Sequence, residues 1–305
     1  MDLPLVSVVM CTYNGAAFLT EQIESILGQT YPNFELIISD DASTDGTTEI
    51  LNKYAGHPFV KLFYQDKNKG LVMNFAFATE QSSGTYIAYS DQDDVWKENK
   101  LERLVASIGD HALVYSDSIL TDEKGNSLGK KLSDLRNMYS GKDSRGYILY
   151  NCVWGHGMLV KKSVVEKSQP MPPGIHHDVW LAFRAITVGG IVYLDEVLTY
   201  YRQHHSSSSK TLPQKTEARK YSKRWEDYIK QVEWIDLMYA NERPEYRPFY
   251  QQLLNVYRTK EKGKFSWPLF SFMMKYRKKL FMFSKKNYLS QLVEIMKQAR
   301  GEKRS

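Results

Sequence analysis

Residues 6–10 are a mostly apolar, β-branched run that leads into Thr12-Tyr13-Asn14-Gly15, the pattern of a buried strand entering a turn. Phe18, Leu19, Ile23, Ile26 and Leu27 follow at helical spacing, and the polar, proline-containing stretch 29–33 breaks that pattern. The cycle repeats, predicting strands over 34–39, 60–64 and 86–90 and helices over 47–54 and 72–80. Such alternation implies an α/β fold, a mostly parallel central sheet flanked by helices. A helix over 97–108 and a strand over 112–116 extend it, before a polar turn at 122–126 and a stretch, 132–145, polar enough to be a mobile loop. Order returns with a strand over 157–161, a helix over 178–187 and strand-like segments over 191–201. Four serines at 206–209 read as a linker, and beyond them the pattern is helical and basic, with no internal repeat. The expected division is a large domain over 1–209 and a helical extension over 210–305.

Within the extension, Ser266 and Pro268 have the positions of a helix cap and first turn. Leu269, Phe272, Met273, Tyr276, Leu280 and Phe283 then form an apolar stripe beside Lys275, Arg277, Lys278, Lys279, Lys285 and Lys286. A basic amphipathic helix of this kind either lies on an anionic membrane surface or packs its stripe against the protein or a second subunit, as in a homodimer.

Composition adds an asymmetry. The net charge of +6 divides into 23 basic and 10 acidic residues from Lys210 onward, leaving 18 basic and 25 acidic before it. The acidic front suits a cation-using site and opposes nucleic acid as a partner, while the basic tail suits an anionic contact. Apolar runs fall far short of a membrane span, and no basic segment precedes a long apolar one at the N-terminus. With two isolated cysteines, Cys11 and Cys152, the expected location is cytoplasmic, with peripheral attachment to the inner membrane face as the extension's option.

In an open parallel sheet, ligands bind beyond the carboxyl ends of the strands. Three strands here end in polar loops: Thr12-Tyr13-Asn14-Gly15, the 40–46 segment beginning Asp40-Asp41, and Asp91-Gln92-Asp93-Asp94. Neither P-loop spacing nor G-x-G-x-x-G is present, so phosphate must be handled by other means. Crowded carboxylates repel unless a cation neutralises them, and oxygen ligands of this kind suit Mg2+ or Mn2+. The plainer alternative for residues 91–94 is a cap on the following helix, a role that fits Asp94 in particular. Asp45 or Ser43 likewise suits the cap of the 47–54 helix. Asp40 or Asp41 can accept the imide N–H of uracil or thymine, and Tyr13 can stack on the base or be an ordinary turn aromatic.

The three segments 6–15, 38–46 and 90–96, in this order and spacing, resemble the family-2 glycosyltransferases of GT-A fold, over roughly residues 4–205. The resemblance is nearest to bacterial rhamnosyltransferase-like enzymes of surface-polysaccharide assembly. It implies an inverting transfer from a dTDP- or UDP-sugar to a glycan or lipid-linked acceptor. Thr12, Tyr13, Asn14, Asp40, Asp41, Asn74 and Asp91 would serve the nucleotide, and Asp91, Asp93 and His204 the metal. Asp178, in His176-His177-Asp178-Val179-Trp180, matches the position of the catalytic base, although the family's acidic pair has become His-Asp here. Residues 151–158, with Trp154 and His156, would line the acceptor site together with His177 and Trp180. The Gln-x-x-Arg-Trp motif of processive synthases is missing, which points to single transfers.

His176, His177, His204 and His205 lack the i, i+4 spacing of a zinc helix. A nucleotidyltransferase would carry a Gly- and Arg/Lys-rich phosphate loop where this chain has residues 11–15. A non-catalytic carbohydrate- or nucleic-acid-binding protein is the remaining alternative.

Overall fold

The computed structural model describes residues 3–204, 223–261 and 264–300. They form two units, Met1–Lys142 with Cys152–Ser207, and Asp143–Asn151 with Ser208–Ser305. The serine run 206–209 and His205 lie outside the described residues.

The first unit is built on nine strands. β1 (Val6–Thr12), β2 (Phe34–Asp40), β3 (Val60–Tyr64) and β4 (Tyr86–Ser90) are parallel, in the order β3-β2-β1-β4. Every residue of β1 and β2 is buried, which is why their centres read as apolar runs. Val6, Val8 and Met10 pack with Leu36, Ile38 and Ala88 against Leu19, Ile23 and Ile26 of α1 (Leu19–Leu27). On the opposite face, by strand alternation, Val9, Ile37, Ile87 and Tyr89 are buried as well. There Phe75 of α3 (Leu71–Glu80) sets its ring edge-on to Tyr89 at 5.7 Å. Between α1 and α3 lies the short helix α2 (Thr47–Asn52).

Beyond β4 the sheet becomes mixed. After β5 (Val95–Trp96) and α4 (Lys100–Ile108) come β6 (Leu113–Thr121) and β7 (Ser127–Lys131). α5 (Leu132–Leu135), β8 (Met158–Lys161), α6 (Lys162–Glu166), α7 (His177–Val188) and β9 (Ile191–Arg202) follow. β8 runs antiparallel between β4 and β6, while β9 is parallel to β6 and antiparallel to β5. Hydrophobic periodicity identifies a strand but not its direction, so this half was not legible as mixed.

The stretch 132–145, expected to be mobile, is ordered. Leu132 is buried, and Lys131 N–H donates to Asp134 at 2.8 Å, closing the first turn of α5. Residues 143–151 belong to the second unit because their groups are tied to its helices. Ser144 Oγ donates to Glu242, Gln231 Nε2 to Ile148 O (2.8 Å) and Trp234 Nε1 to Tyr147 O (3.1 Å).

That unit contains α8 (Lys223–Asn241), α9 (Arg247–Arg258), α10 (Trp267–Lys275), α11 (Arg277–Leu280) and α12 (Tyr288–Ala299). Ser266 caps α10 as expected, its Oγ accepting Leu269 N–H. The single stripe read from the sequence spans α10, α11 and the turn after them. Its members Leu269, Phe272, Met273, Leu280 and Phe283 are buried, with Phe272 against Phe249 (5.3 Å) and Phe283 against Tyr147 (5.0 Å). The stripe is therefore the core of this unit and is not free to meet a membrane. Among the described residues no helix is long and apolar enough to cross one.

Candidate active site

Parallel pairing brings the carboxyl ends of β1, β2 and β4 side by side, with Thr12 opposite Asp40 and Met10 opposite Ser90. The three polar loops thus share one edge of the sheet. Among the described residues the only non-glycine positions with positive φ, Asn14 (48°) and Ala42 (61°), both lie in these loops, so local strain is concentrated here.

The two consecutive aspartates of the second loop do different work. Asp40 is buried and accepts Thr12 Oγ1 at 2.7 Å, Ser43 Oγ at 2.6 Å and Ser43 N–H at 2.9 Å. Its Oδ1 and the Thr12 hydroxyl brace β1 to β2, while its Oδ2 holds the loop at Ser43. Asp41 accepts Lys69 N–H and Gly70 N–H at 2.8 and 2.9 Å, fixing the turn that starts α3. Asn14 likewise serves the loops, taking Thr44 N–H on Oδ1 (2.8 Å) and donating its own N–H to Ser43 Oγ (2.9 Å). Asp45 accepts Thr47 N–H at 3.1 Å beside Gly46, which occupies the α2 cap position with φ 93°. Asn74, expected at the nucleotide, is buried and bonded to Ser39: it accepts the hydroxyl (2.6 Å) and donates to the carbonyl (2.8 Å). It pins α3 to β2. Tyr13 is the exposed aromatic of these loops, at 48%.

Gln92 joins the first loop to the acidic one. Its Oε1 accepts Tyr13 N–H at 2.9 Å and its Nε2 donates to Tyr13 O at 3.1 Å. Gly15 leaves room for it, since a Cβ there would meet Gln92 Oε1 at 2.2 Å. The three aspartates of this loop differ in exposure, the Asp91 side chain being 40% exposed, that of Asp93 17%, and that of Asp94 fully buried. Asp93 Oδ2 lies 2.7 Å from His204 Nε2, and the His204 ring rests 4.8 Å from Phe18. Asp94 does not cap a helix. Its Oδ1 accepts Arg202 N–H (3.1 Å), while α4 begins after Asn99. Asp91, Asp94 and His156 place ligand-type atoms within 4.8 Å of one another, with His156 Nδ1 3.5 Å from each carboxylate.

Two basic residues, Lys100 and Arg202, back this cluster. Lys100 is wholly buried, donating to His156 O (2.6 Å) and Thr199 Oγ1 (2.7 Å), with its ammonium 3.6 Å from the Trp96 ring centre. Burial pushes the Asp94 carboxyl well above the usual range, helped by the charges of Asp93 and Asp91; burial also pulls Lys100 well down, against the attraction of Asp94 and Asp91. Burial opposes ionisation of Asp91 too, but His156, His177 and Lys100 outweigh it and hold that carboxyl low. Arg202 donates to Asp93 O (2.8 Å), Glu123 O (2.6 Å) and Glu21 Oε2 (2.5 Å). Sequence reasoning missed Lys100, although it sits at i, i+4, i+8 with Leu104 and Ile108 on the buried stripe of α4.

Asp178 lies in the first turn of α7, half-buried, its Oδ1 accepting Val179 N–H at 2.8 Å. Residues 155–157 run against this helix start. A Cβ on Gly155 would come within 3.6 Å of Asp178 Cβ and 2.9 Å of His177 Nε2. Three residues expected at the acceptor are instead buried. Trp180 donates its indole N–H to Ser168 O (2.7 Å), and His156 Nε2 pairs with Ser118 Oγ (2.9 Å). His177 stacks between Phe75 (4.1 Å) and Tyr89 (4.7 Å), with both ring nitrogens unpartnered and its pKa lowered by burial. Trp154, half-buried, is the one member of that set left near the surface.

The chain is similar to known proteins. TuaG of Bacillus subtilis, a glycosyltransferase assigned to teichuronic acid biosynthesis, is 36% identical over 114 residues, 37% of this chain and 45% of its own length. The B. subtilis glycosyltransferase EpsE is 42% identical over 127 residues, 40% of this chain and 46% of its own. The matches thus span less than half the length of either relative. Among solved structures, S. aureus TarS 1-349 in complex with UDP-GlcNAc aligns with a TM-score of 0.62 at 16% identity, covering 96% of this chain and 79% of that one. The mannosyltransferase PcManGT of Pyrobaculum calidifontis, in complex with GDP-Man and Mn2+, aligns at 0.56 and 18%, covering 82% and 69%. The GT-A type α/β fold expected from the sequence is the fold shared with these structures. Residues 7–168, more than half of the chain, match the family described as Glycosyl transferase family 2, and the chain belongs to that family.

Proposed function

We propose that this chain transfers a single sugar, with inversion, from a nucleoside diphosphate sugar to a glycan or lipid-linked acceptor in bacterial surface-polysaccharide synthesis. The observation that carries this reading is the Gln92–Tyr13 hydrogen-bond pair, which couples an exposed aromatic platform to the acidic loop. Tyr13 would stack on the base and Asp41, held by two amides, would accept its imide N–H. A dTDP- or UDP-sugar is the preferred donor, with rhamnose favoured by resemblance. Thr12, Asn14, Asp40 and Asn74 shape this pocket from within.

To Asp91, Asp93 and His204 we assign a divalent cation such as Mn2+ or Mg2+: the donors are oxygen and imidazole, Asp93 and His204 are already adjacent, and Asp91 clusters instead with Asp94 and His156. Bound there, it would supply Lewis-acid stabilisation of the departing diphosphate. Asp178 would take the proton of the acceptor hydroxyl as that oxygen bonds to the anomeric carbon and the carbon–oxygen bond to the diphosphate breaks. The hydrogen bond from Val179 N–H holds its Oδ1.

The test is a panel of UDP-, dTDP- and GDP-sugars with Mn2+, monitored for nucleoside diphosphate release with and without glycan acceptors. The reading predicts release with one nucleotide class, and in Asp178→Asn donor binding without transfer. Turnover retained in Asp178→Asn would exclude that base, and failure of every nucleotide to bind would exclude the reaction class.

A further inference from the structure

With the expected stripe buried, a different apolar line faces solvent in the second unit. On α12, Leu289, Val293 and Met296 are 69%, 50% and 49% exposed, and their i, i+4, i+7 spacing aligns them along one side. Ile295 and Ala299, on the adjacent side, are buried. Trp267 is 69% exposed and sits at the far end of the same helix, because Ser266 N–H donates to Ala299 O (2.8 Å) and Phe265 bridges Arg300. Its ring stands 4.9 Å from Phe265 and 5.8 Å from the half-buried Phe270. A line of large apolar side chains left in water marks an interaction surface.

The charge around it is one-sided. Residues 264–300 carry nine basic side chains and one acidic, Glu294, a net of +8. Glu294 is itself paired with Lys286 at 3.1 Å, while Lys275, Lys285, Lys297 and Arg300 are exposed. We propose that this face docks on an anionic lipid bilayer. α12 would lie in the interface plane, Leu289, Val293, Met296 and Trp267 entering the headgroup boundary while the basic side chains meet lipid phosphates. A second copy of the chain would bring the same positive surface against itself, and a nucleic acid would leave the apolar line in water. An anionic bilayer satisfies both features.

The inference is independent of the transfer chemistry, and its test reads lipid binding. The full chain is sedimented with vesicles of phosphatidylcholine alone and of phosphatidylcholine with phosphatidylglycerol, alongside a Leu289→Ser/Val293→Ser/Met296→Ser variant and, separately, Trp267→Ser. Light scattering gives the oligomeric state, and circular dichroism confirms folding. Expected are binding about tenfold or more tighter to the anionic vesicles, weakening with salt, and a loss of about tenfold or more in the folded triple variant, smaller in Trp267→Ser. Unchanged binding by both variants, equal binding to the neutral vesicles, or a dimer that the triple variant dissociates while no vesicle is bound would each overturn it.

Discussion

Glu35 offers a quantitative test of how the strands carrying the site are held. It lies on β2 with its side chain 9% exposed. Oε1 accepts Ser7 Oγ (2.6 Å), Ser83 N–H (2.7 Å) and Ser83 Oγ (2.7 Å), and Oε2 pairs with Lys61 (2.6 Å). One carboxylate thereby fastens β1, β3 and the turn before β4. Burial alone would raise its pKa, but the Lys61 contact and these hydrogen bonds outweigh it and bring it from 4.5 down to about 2. A folded-state pKa below the unfolded value means stability that is complete above the unfolded pKa and lost as pH falls toward the folded one. The drop corresponds to roughly 3 kcal/mol at neutral pH, from about 1.4 kcal/mol per pH unit. Urea unfolding of the wild type and Glu35→Gln at a series of pH values would read it. The variant should be less stable by roughly 2–3 kcal/mol at pH 7, and the gap should close between about pH 4.5 and 2. A gap that persists unchanged at pH 2.5, or no gap at pH 7, would refute the assignment.

Lys100→Met leaves the buried His156 carbonyl and Thr199 hydroxyl without their donor and should cost about 2 kcal/mol by urea unfolding; a loss below about 0.5 kcal/mol would mean that Lys100 does not hold the cluster. Gly15→Ala pushes a flexible side chain, not backbone, so stability should change little while nucleotide affinity by calorimetry falls several-fold through the displaced Gln92. Unaltered affinity would separate Gln92 from the donor site.

The sequence was most readable where burial is two-sided. β1 and β2 are mainly apolar because both faces are covered, and their loops could be placed at one edge from topology alone. β7, all but one of its five residues exposed, has no alternation to betray it, and α5 escaped because a buried Leu132 and one closed turn leave little trace in a polar segment. Direction was the harder quantity within the site. Composition marks Asp40 and Asp41 as equivalent, yet one faces Thr12 and the other the 69–70 turn. His177 and Trp180 similarly looked like surface chemistry until packing against Phe75 and Tyr89, and the Ser168 carbonyl, showed them turned inward. Lys100 could have been caught, since a lysine in register with a helix's apolar stripe must find partners inside.

The central proposal is that Asp93, with Asp91 and His204, holds the cation of a nucleoside diphosphate site. Calorimetric titration of UDP, dTDP and GDP, with Mn2+ and with chelator, into wild type and Asp93→Asn tests it most directly. The account predicts Mn2+-dependent binding of UDP or dTDP by the wild type and its loss in Asp93→Asn; binding of equal strength in the variant, or without the metal, would contradict it.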